Sequence, residues 1–148
     1  MSTYTQITYQ IVFATRNRVA ALDKRNRDEL FMHIAGILKN KKCHNLAVNG
    51  VADHIHILCE VHPTVALSNL VKDIKLGTAD LIKRKHLFPS FPGWQEGYGA
   101  FTYTHGDRQK LINYVRNQEA HHQTEDFIKE YLRMLDEAEI DYDAQYVP

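Results

Sequence analysis

His44-Asn45-Leu46-Ala47-Val48-Asn49-Gly50-Val51-Ala52-Asp53-His54-Ile55-His56-Ile57-Leu58-Cys59-Glu60-Val61 decides the fold. It reads as two strands joined by a tight turn. Asn49-Gly50 is a hairpin signal and Ala52-Asp53 is a rival turn, and the residues alone leave the two open. In the second strand Ile55, Ile57, Cys59 and Val61 face one way, while His54, His56, Leu58 and Glu60 face the other. Upstream, residues 6–14 alternate with Ile7, Tyr9, Ile11 and Phe13 on one face, which predicts a strand. Between them, residues 26–41 carry Leu30, Ile34, Ile37 and Leu38 at helical spacing. Downstream, residues 67–85 repeat that pattern with Leu67, Leu70, Val71, Ile74, Leu81 and Ile82. Pro89, Pro92 and Gly93 then break the chain, and residues 98–104 make a fourth strand. A third helix over 108–121 is expected with Asp107 as its cap, and a fourth over 125–139 with Thr124 as its cap. The fourth helix carries a stripe of Phe127, Ile128, Tyr131, Leu132 and Leu135.

The order β-α-β-β-α-β followed by two helices predicts an α+β chain built as a ferredoxin-like (RRM-like) plait. Its four-stranded antiparallel sheet should carry the first two helices on the face of Ile55 and Ile57. The face of His54 and His56 is left for another element. The third helix is the evident cover, from the same chain or a partner's.

The 148 residues suit one domain large enough to bury a core without disulfide or metal. With 44% hydrophobic and 24% charged residues, the composition excludes a disordered polyelectrolyte. No apolar run reaches membrane-helix length, and the N-terminus lacks a basic segment followed by an apolar one. Cys43 and Cys59 form no close-spaced motif, which favours a reducing cytoplasm. The net charge of zero hides an asymmetry. Residues 123–148 hold eight acids against two bases, so the preceding body is basic and suits a polyanionic ligand.

Two motifs can carry chemistry. His54 and His56, at i and i+2 on a strand, point to one side and can converge on a metal or a phosphate oxygen. Paired strand histidines are also common surface features, so the pair alone is a weak signal. In the third helix, Tyr114 and Gln118 at i and i+4 share a face that His121 and His122 extend. A lone helical tyrosine usually serves packing, but a carboxamide and histidines beyond it are harder to explain that way. A phenol, with a pKa of about 10, is a poor nucleophile at neutral pH. A divalent cation on His54 and His56, with Gln118 as an oxygen ligand, can polarise a phosphodiester for attack by Tyr114. So few ligands suit Mg²⁺ or Mn²⁺. Strand alternation turns Cys59 away from the histidines, against a shared zinc site.

Asp53-His54-Ile55-His56-Ile57-Leu58 resembles the histidine–hydrophobic–histidine signature of HUH endonucleases. The run from Tyr114 to His122 resembles the tyrosine helix of insertion-sequence-200-like transposases. Phe13 to Arg18 and Trp94 to Phe101 resemble that family's first strand and the approach to its last. The likeness spans about residues 4–122, leaving 123–148 as an acidic helix and tail. It implies a transposase that cuts single-stranded DNA near hairpins and forms a 5′-phosphotyrosine. It implies Tyr114 as nucleophile, and His54, His56 and Gln118 as ligands of Mg²⁺ or Mn²⁺. It further implies a homodimer in which the tyrosine helix of one subunit serves the histidines of the other, in a bacterial or archaeal cytoplasm at the nucleoid.

Rivals are a replication-initiator or relaxase nickase of the HUH kind and a silent, domesticated hairpin-binding protein. A histidine-triad hydrolase is disfavoured because Leu58 stands where a third histidine belongs. Lys72, Lys75, Lys83, Arg84 and Lys85, with Arg16 and Arg18, are candidates for tracking a phosphate backbone. Trp94, Tyr98, Phe101 and Tyr103 are candidates for stacking unpaired bases.

Overall fold

A computed structural model describes residues 2–148. The elements are β1 (Thr8–Ala14), α1 (Lys24–Asn40), β2 (His44–Gly50), β3 (His54–Glu60), α2 (Leu67–Lys85), β4 (Gly99–Thr102), α3 (Arg108–Arg116), α4 (Gln118–His121) and α5 (Phe127–Glu137). The sheet runs β2-β3-β1-β4 with every neighbour antiparallel, which is the expected plait. No helix among the described residues is long and apolar enough to cross a membrane.

The hairpin turns at residues 51–53, where the Val51 amide bonds the His54 carbonyl at 3.1 Å. Asn49 and Gly50 therefore belong to β2 rather than to the turn. Gly50 is needed there for close approach: a Cβ would lie 2.4 Å from the His54 carbonyl oxygen and 2.9 Å from Ile55 Cγ2.

Strand alternation gives the sheet two buried faces. On one, Ile11, Phe13, Ile55, Ile57 and Cys59 meet Leu30, Ile34 and Leu38 of α1 and Leu70, Val71 and Ile74 of α2. Burial there pushes the Cys59 thiol up to about 12, leaving it a small core residue. The other face is divided between two helices. Leu111 and Val115 of α3 pack on Ala47 and Leu58, while Phe127, Tyr131, Met134 and Leu135 of α5 pack on Val12, Ala14 and Phe101. The expected cover by the third helix is thus half of the answer, and the acidic final helix supplies the rest.

Three local expectations change. Asp126, not Thr124, caps α5, accepting from the Lys129 amide at 2.9 Å, while the Thr124 hydroxyl turns back to the His121 carbonyl. Asp107 stands at the start of α3 without a capping bond, because a 3₁₀ turn over His105–Asp107 runs directly into the helix. The single helix expected over 108–121 breaks at Asn117, whose φ of −97° and ψ of 19° leave the helical range. The side-chain amide of Asn49 on β2 donates to the carbonyls of Val115 and Arg116 at 3.0 and 2.9 Å, satisfying the end of α3 there.

Two of the aromatics considered for base stacking are core residues. Trp94 packs edge-on against Phe13 and donates to the buried Thr78 hydroxyl at 2.9 Å, and Phe101 lies under α5. Lys75 is likewise committed. Its ammonium donates to the carbonyls of Gln95 (2.8 Å) and Gly97 (2.5 Å) and lies 5.2 Å from the Phe13 ring centre. Lys75→Ala should therefore destabilise the fold by about 1.5–3 kcal/mol, the range for hydrogen bonds from a charged group. Chemical denaturation measures the loss.

Candidate active site

The register that buries Ile55 and Ile57 under α1 and α2 sends His54 and His56 to the opposite face, both fully buried. Their ring centres lie 5.2 Å apart. Each ring is held from behind. His54 Nδ1 donates to the Asp53 carboxylate at 2.8 Å, and His56 Nδ1 lies 2.7 Å from Oε1 of Gln10 on the neighbouring strand. Gln10 is itself fixed, donating to the Tyr103 hydroxyl at 2.9 Å. The Nε2 atoms of both histidines face the layer of α3, α4 and α5.

Tyr114 projects from α3 with its ring centre 6.0 Å from that of His56. The break at Asn117 starts α4 with Gln118 fully buried. Gln118 Oε1 lies 3.3 Å from His54 Nε2, and its amide donates to Glu130 Oε2 at 3.2 Å. The four residues expected to form the site, His54, His56, Tyr114 and Gln118, are thus brought together within one chain.

Glu130 of α5 joins them, and the sequence reading counted it only as tail charge. It is fully buried. Its Oε1 lies 2.9 Å from His56 Nε2, 2.9 Å from His122 Nε2 and 3.3 Å from His54 Nε2. Its Oε2 accepts from the Tyr114 hydroxyl and from Gln118. A signal for it exists in the sequence. Phe127, Tyr131 and Met134 are spaced as one helical face, and Glu130 falls inside that face. An acid inside an apolar stripe needs partners.

The charges follow from this packing. Burial alone would raise the Glu130 carboxyl, but the imidazole groups of His122, His54 and His56 crowded around it hold it far below the usual carboxylate range. Burial pushes the His56 imidazole down to about 4, against the pull of Glu130, so it is neutral at pH 7. His54 is also penalised by burial, but Asp53 and Glu130 raise it overall. Burial and Glu130 push the Tyr114 phenol up, and Arg133 opposes them by donating to the phenol oxygen at 2.9 Å. A cavity of about 300 Å³ opens beside Tyr114, lined by Gln10, Tyr103, Lys110, Leu111 and Arg133.

This donor set fits a divalent cation. One ligand atom each from His54, His56, His122 and Glu130 lies within 4.8 Å of all the others, and the Gln118 carbonyl borders the group. The basic residues are distributed differently. Arg16 and Arg18 are exposed in the turn that follows β1, at the end of the sheet where Ala14 pairs with His54. Lys72, Lys83, Arg84 and Lys85 are exposed on α2, which covers the opposite face from the histidines. Arg84 and Lys85 there pair with Asp80 and Glu29. The structure therefore separates the α2 cluster from the site.

The plait, with its histidine–hydrophobic–histidine strand buried against a helical tyrosine, can be compared with known proteins. The family model "Transposase IS200 like" matches residues 3–118, and the chain belongs to this family. A transposase candidate from Deinococcus radiodurans R1 has a similar structure, with a TM-score of 0.63 and 23% identity, covering 80% of this chain and 95% of that one. A REP-associated tyrosine transposase bound to a REP hairpin is similar with a TM-score of 0.61 and 17% identity, covering 82% of this chain and 74% of that one. No curated protein sequence matches.

Proposed function

We propose that this transposase cleaves and rejoins single-stranded DNA at hairpin-bearing element ends through a 5′-phosphotyrosine on Tyr114, assisted by Mg²⁺ or Mn²⁺. One observation carries the reading: the Tyr114 hydroxyl meets the same carboxylate that His54, His56 and His122 surround. Nucleophile and candidate metal ligands share one centre. The hairpin bound to the similar REP-associated transposase supports a hairpin as the recognised form.

In the reaction, Tyr114 Oη attacks phosphorus. The new Oη–P bond forms as the bond from phosphorus to the 3′ oxygen breaks, and that oxygen takes up a proton to leave as a 3′-hydroxyl. Reversal by a 3′-hydroxyl rejoins the strand and restores the tyrosine. His54, His56 and Gln118 would hold the cation, which supplies Lewis-acid polarisation of the phosphodiester. Arg133 steadies the phenol oxygen as its proton leaves. Residues 1–148 act as one unit in this reading, because Glu130 lies beyond the matched residues 3–118 and still belongs to the centre. Its place of action would be the cytoplasm of a bacterium or archaeon, at the nucleoid.

The test is incubation of the protein with single-stranded hairpin DNA in Mg²⁺ or Mn²⁺, followed by SDS electrophoresis. Covalent protein–DNA species are expected, and chelation should abolish them. Hairpin retention with no adduct under any metal would favour the silent binding protein. The family resemblance also implies a homodimer with exchanged tyrosine helices, whereas contact between Tyr114 and its own chain's centre supports a site assembled within one subunit. Mixing Tyr114→Phe with His56→Ala protein discriminates. Adducts should stay absent from the mixture, and their recovery would establish sharing between subunits.

A further inference from the structure

His54 Nδ1 faces the Asp53 carboxylate and His56 Nδ1 faces the Gln10 carbonyl oxygen, at 2.8 and 2.7 Å. Both oxygens are acceptors, so each ring keeps a hydrogen on Nδ1. In the neutral rings the Nε2 lone pairs then point inward, toward Glu130 Oε1 at 3.3 and 2.9 Å. His122 brings a third Nε2 to the same oxygen at 2.9 Å. Lone pairs directed at a carboxylate oxygen repel it, whereas a cation among them makes every one of these atoms a ligand. Asp53 and Gln10 stand where the outer partners of metal-bound histidines stand, fixing tautomer and orientation. Gln118 contributes from the other side by donating to Glu130 Oε2 and so orienting the carboxylate.

We propose that His122 and Glu130 are metal ligands alongside His54, His56 and Gln118, giving a centre of three imidazole nitrogens, one carboxylate oxygen and one carboxamide oxygen that takes Mn²⁺ in preference to Mg²⁺. The preference follows from the donors. Mg²⁺ favours oxygen ligands and keeps its waters, whereas imidazole nitrogen suits first-row transition ions. The inference rests on reading the His54–His56 pair as a metal site. It adds two residues that the family resemblance does not supply.

Calorimetric titration of the metal-free full-length protein with Mn²⁺, and separately with Mg²⁺, tests it. The variants are Glu130→Gln, which keeps the shape of the side chain, His122→Ala and His56→Ala. Circular dichroism confirms that each is folded. The parent should take up one Mn²⁺ per chain and bind Mg²⁺ at least about ten-fold more weakly. Glu130→Gln and His122→Ala should each weaken Mn²⁺ binding by about 10–100-fold or more. Pulsed electron paramagnetic resonance of bound Mn²⁺ adds a readout that packing alone would not move. The number of coupled imidazoles should fall from three to two in His122→Ala. Parent-like affinity, within about two-fold, in both Glu130→Gln and His122→Ala, with loss only in His56→Ala, overturns the inference and leaves the histidine-pair reading standing. No Mn²⁺ uptake by the parent overturns both. Equal affinity for the two ions overturns the preference.

Discussion

Tyr114→Phe should lower the rate of single-strand cleavage by about 10⁴–10⁶-fold, the scale on which enzymes lose turnover when their nucleophile is removed. Hairpin binding should stay close to that of the parent, since the ring and its packing remain. The fold should also tolerate the change. Glu130 Oε2 keeps its bond from Gln118, and Arg133 keeps its bond to Glu125 at 3.1 Å. The hydroxyl's bonds to Glu130 and Arg133 are lost, so stability should fall by a few kcal/mol, at about 1.5–3 kcal/mol for each hydrogen bond to a charged group. The measurement is a time course of oligonucleotide cleavage with covalent adducts quantified in parallel. Tyr103 is the informative comparison, because it lines the same cavity and its hydroxyl accepts from Gln10. Cleavage that survives in Tyr114→Phe, with the DNA-linked peptide containing Tyr103, would move the nucleophile from α3 to the segment that follows β4.

Phe13→Ala should destabilise the protein by about 3–5 kcal/mol, read as a lower denaturant midpoint. Phe13 is fully buried near the C-terminal end of β1. Its ring meets Trp94 edge-on with centres 5.1 Å apart, and the Lys75 ammonium lies over it. Truncation leaves a void under a lysine already committed to two carbonyls and beside an indole tied to Thr78. None of these can collapse inward without breaking a bond, which puts the cost in the upper part of the range for large-to-small core changes. A loss below about 1.5 kcal/mol would mean that the loop around residues 89–97 repacks freely.

The plait was legible because its signals are local and periodic. Alternation in residues 54–61 separates the histidines from the apolar face, and the stripe of residues 67–85 marks α2 to its ends. Tyr114 and Gln118 were legible from spacing together with the family's motif. The break at Asn117 was not, because the carbonyls at the end of α3 are satisfied by the Asn49 side chain of β2, a contact made only by the folded sheet. Glu130 escaped for a related reason. Counted by charge it belongs to an acidic tail, and only its position between Phe127, Tyr131 and Met134 marks it as inward-facing. The α2 lysines are a different case. They form a run in sequence, but the sheet stands between their helix and the histidines.

The central place of β1 bears on how the chain reaches this structure during synthesis. β1 is the first of these four strands to leave the ribosome, yet it bonds only to β3 and β4, with Gln10 paired to Leu58 on one side and Phe101 on the other. The hairpin of β2 and β3 can form early, from neighbours in sequence. The second edge of β1 must wait until β4 is made, and contacts of such long range slow folding. Through that interval Ile11-Val12-Phe13-Ala14 is an uncharged, strand-prone segment open to pairing with the same segment of other nascent chains. The yield of native protein is therefore governed at β1, by competition between capture by the hairpin and aggregation between chains.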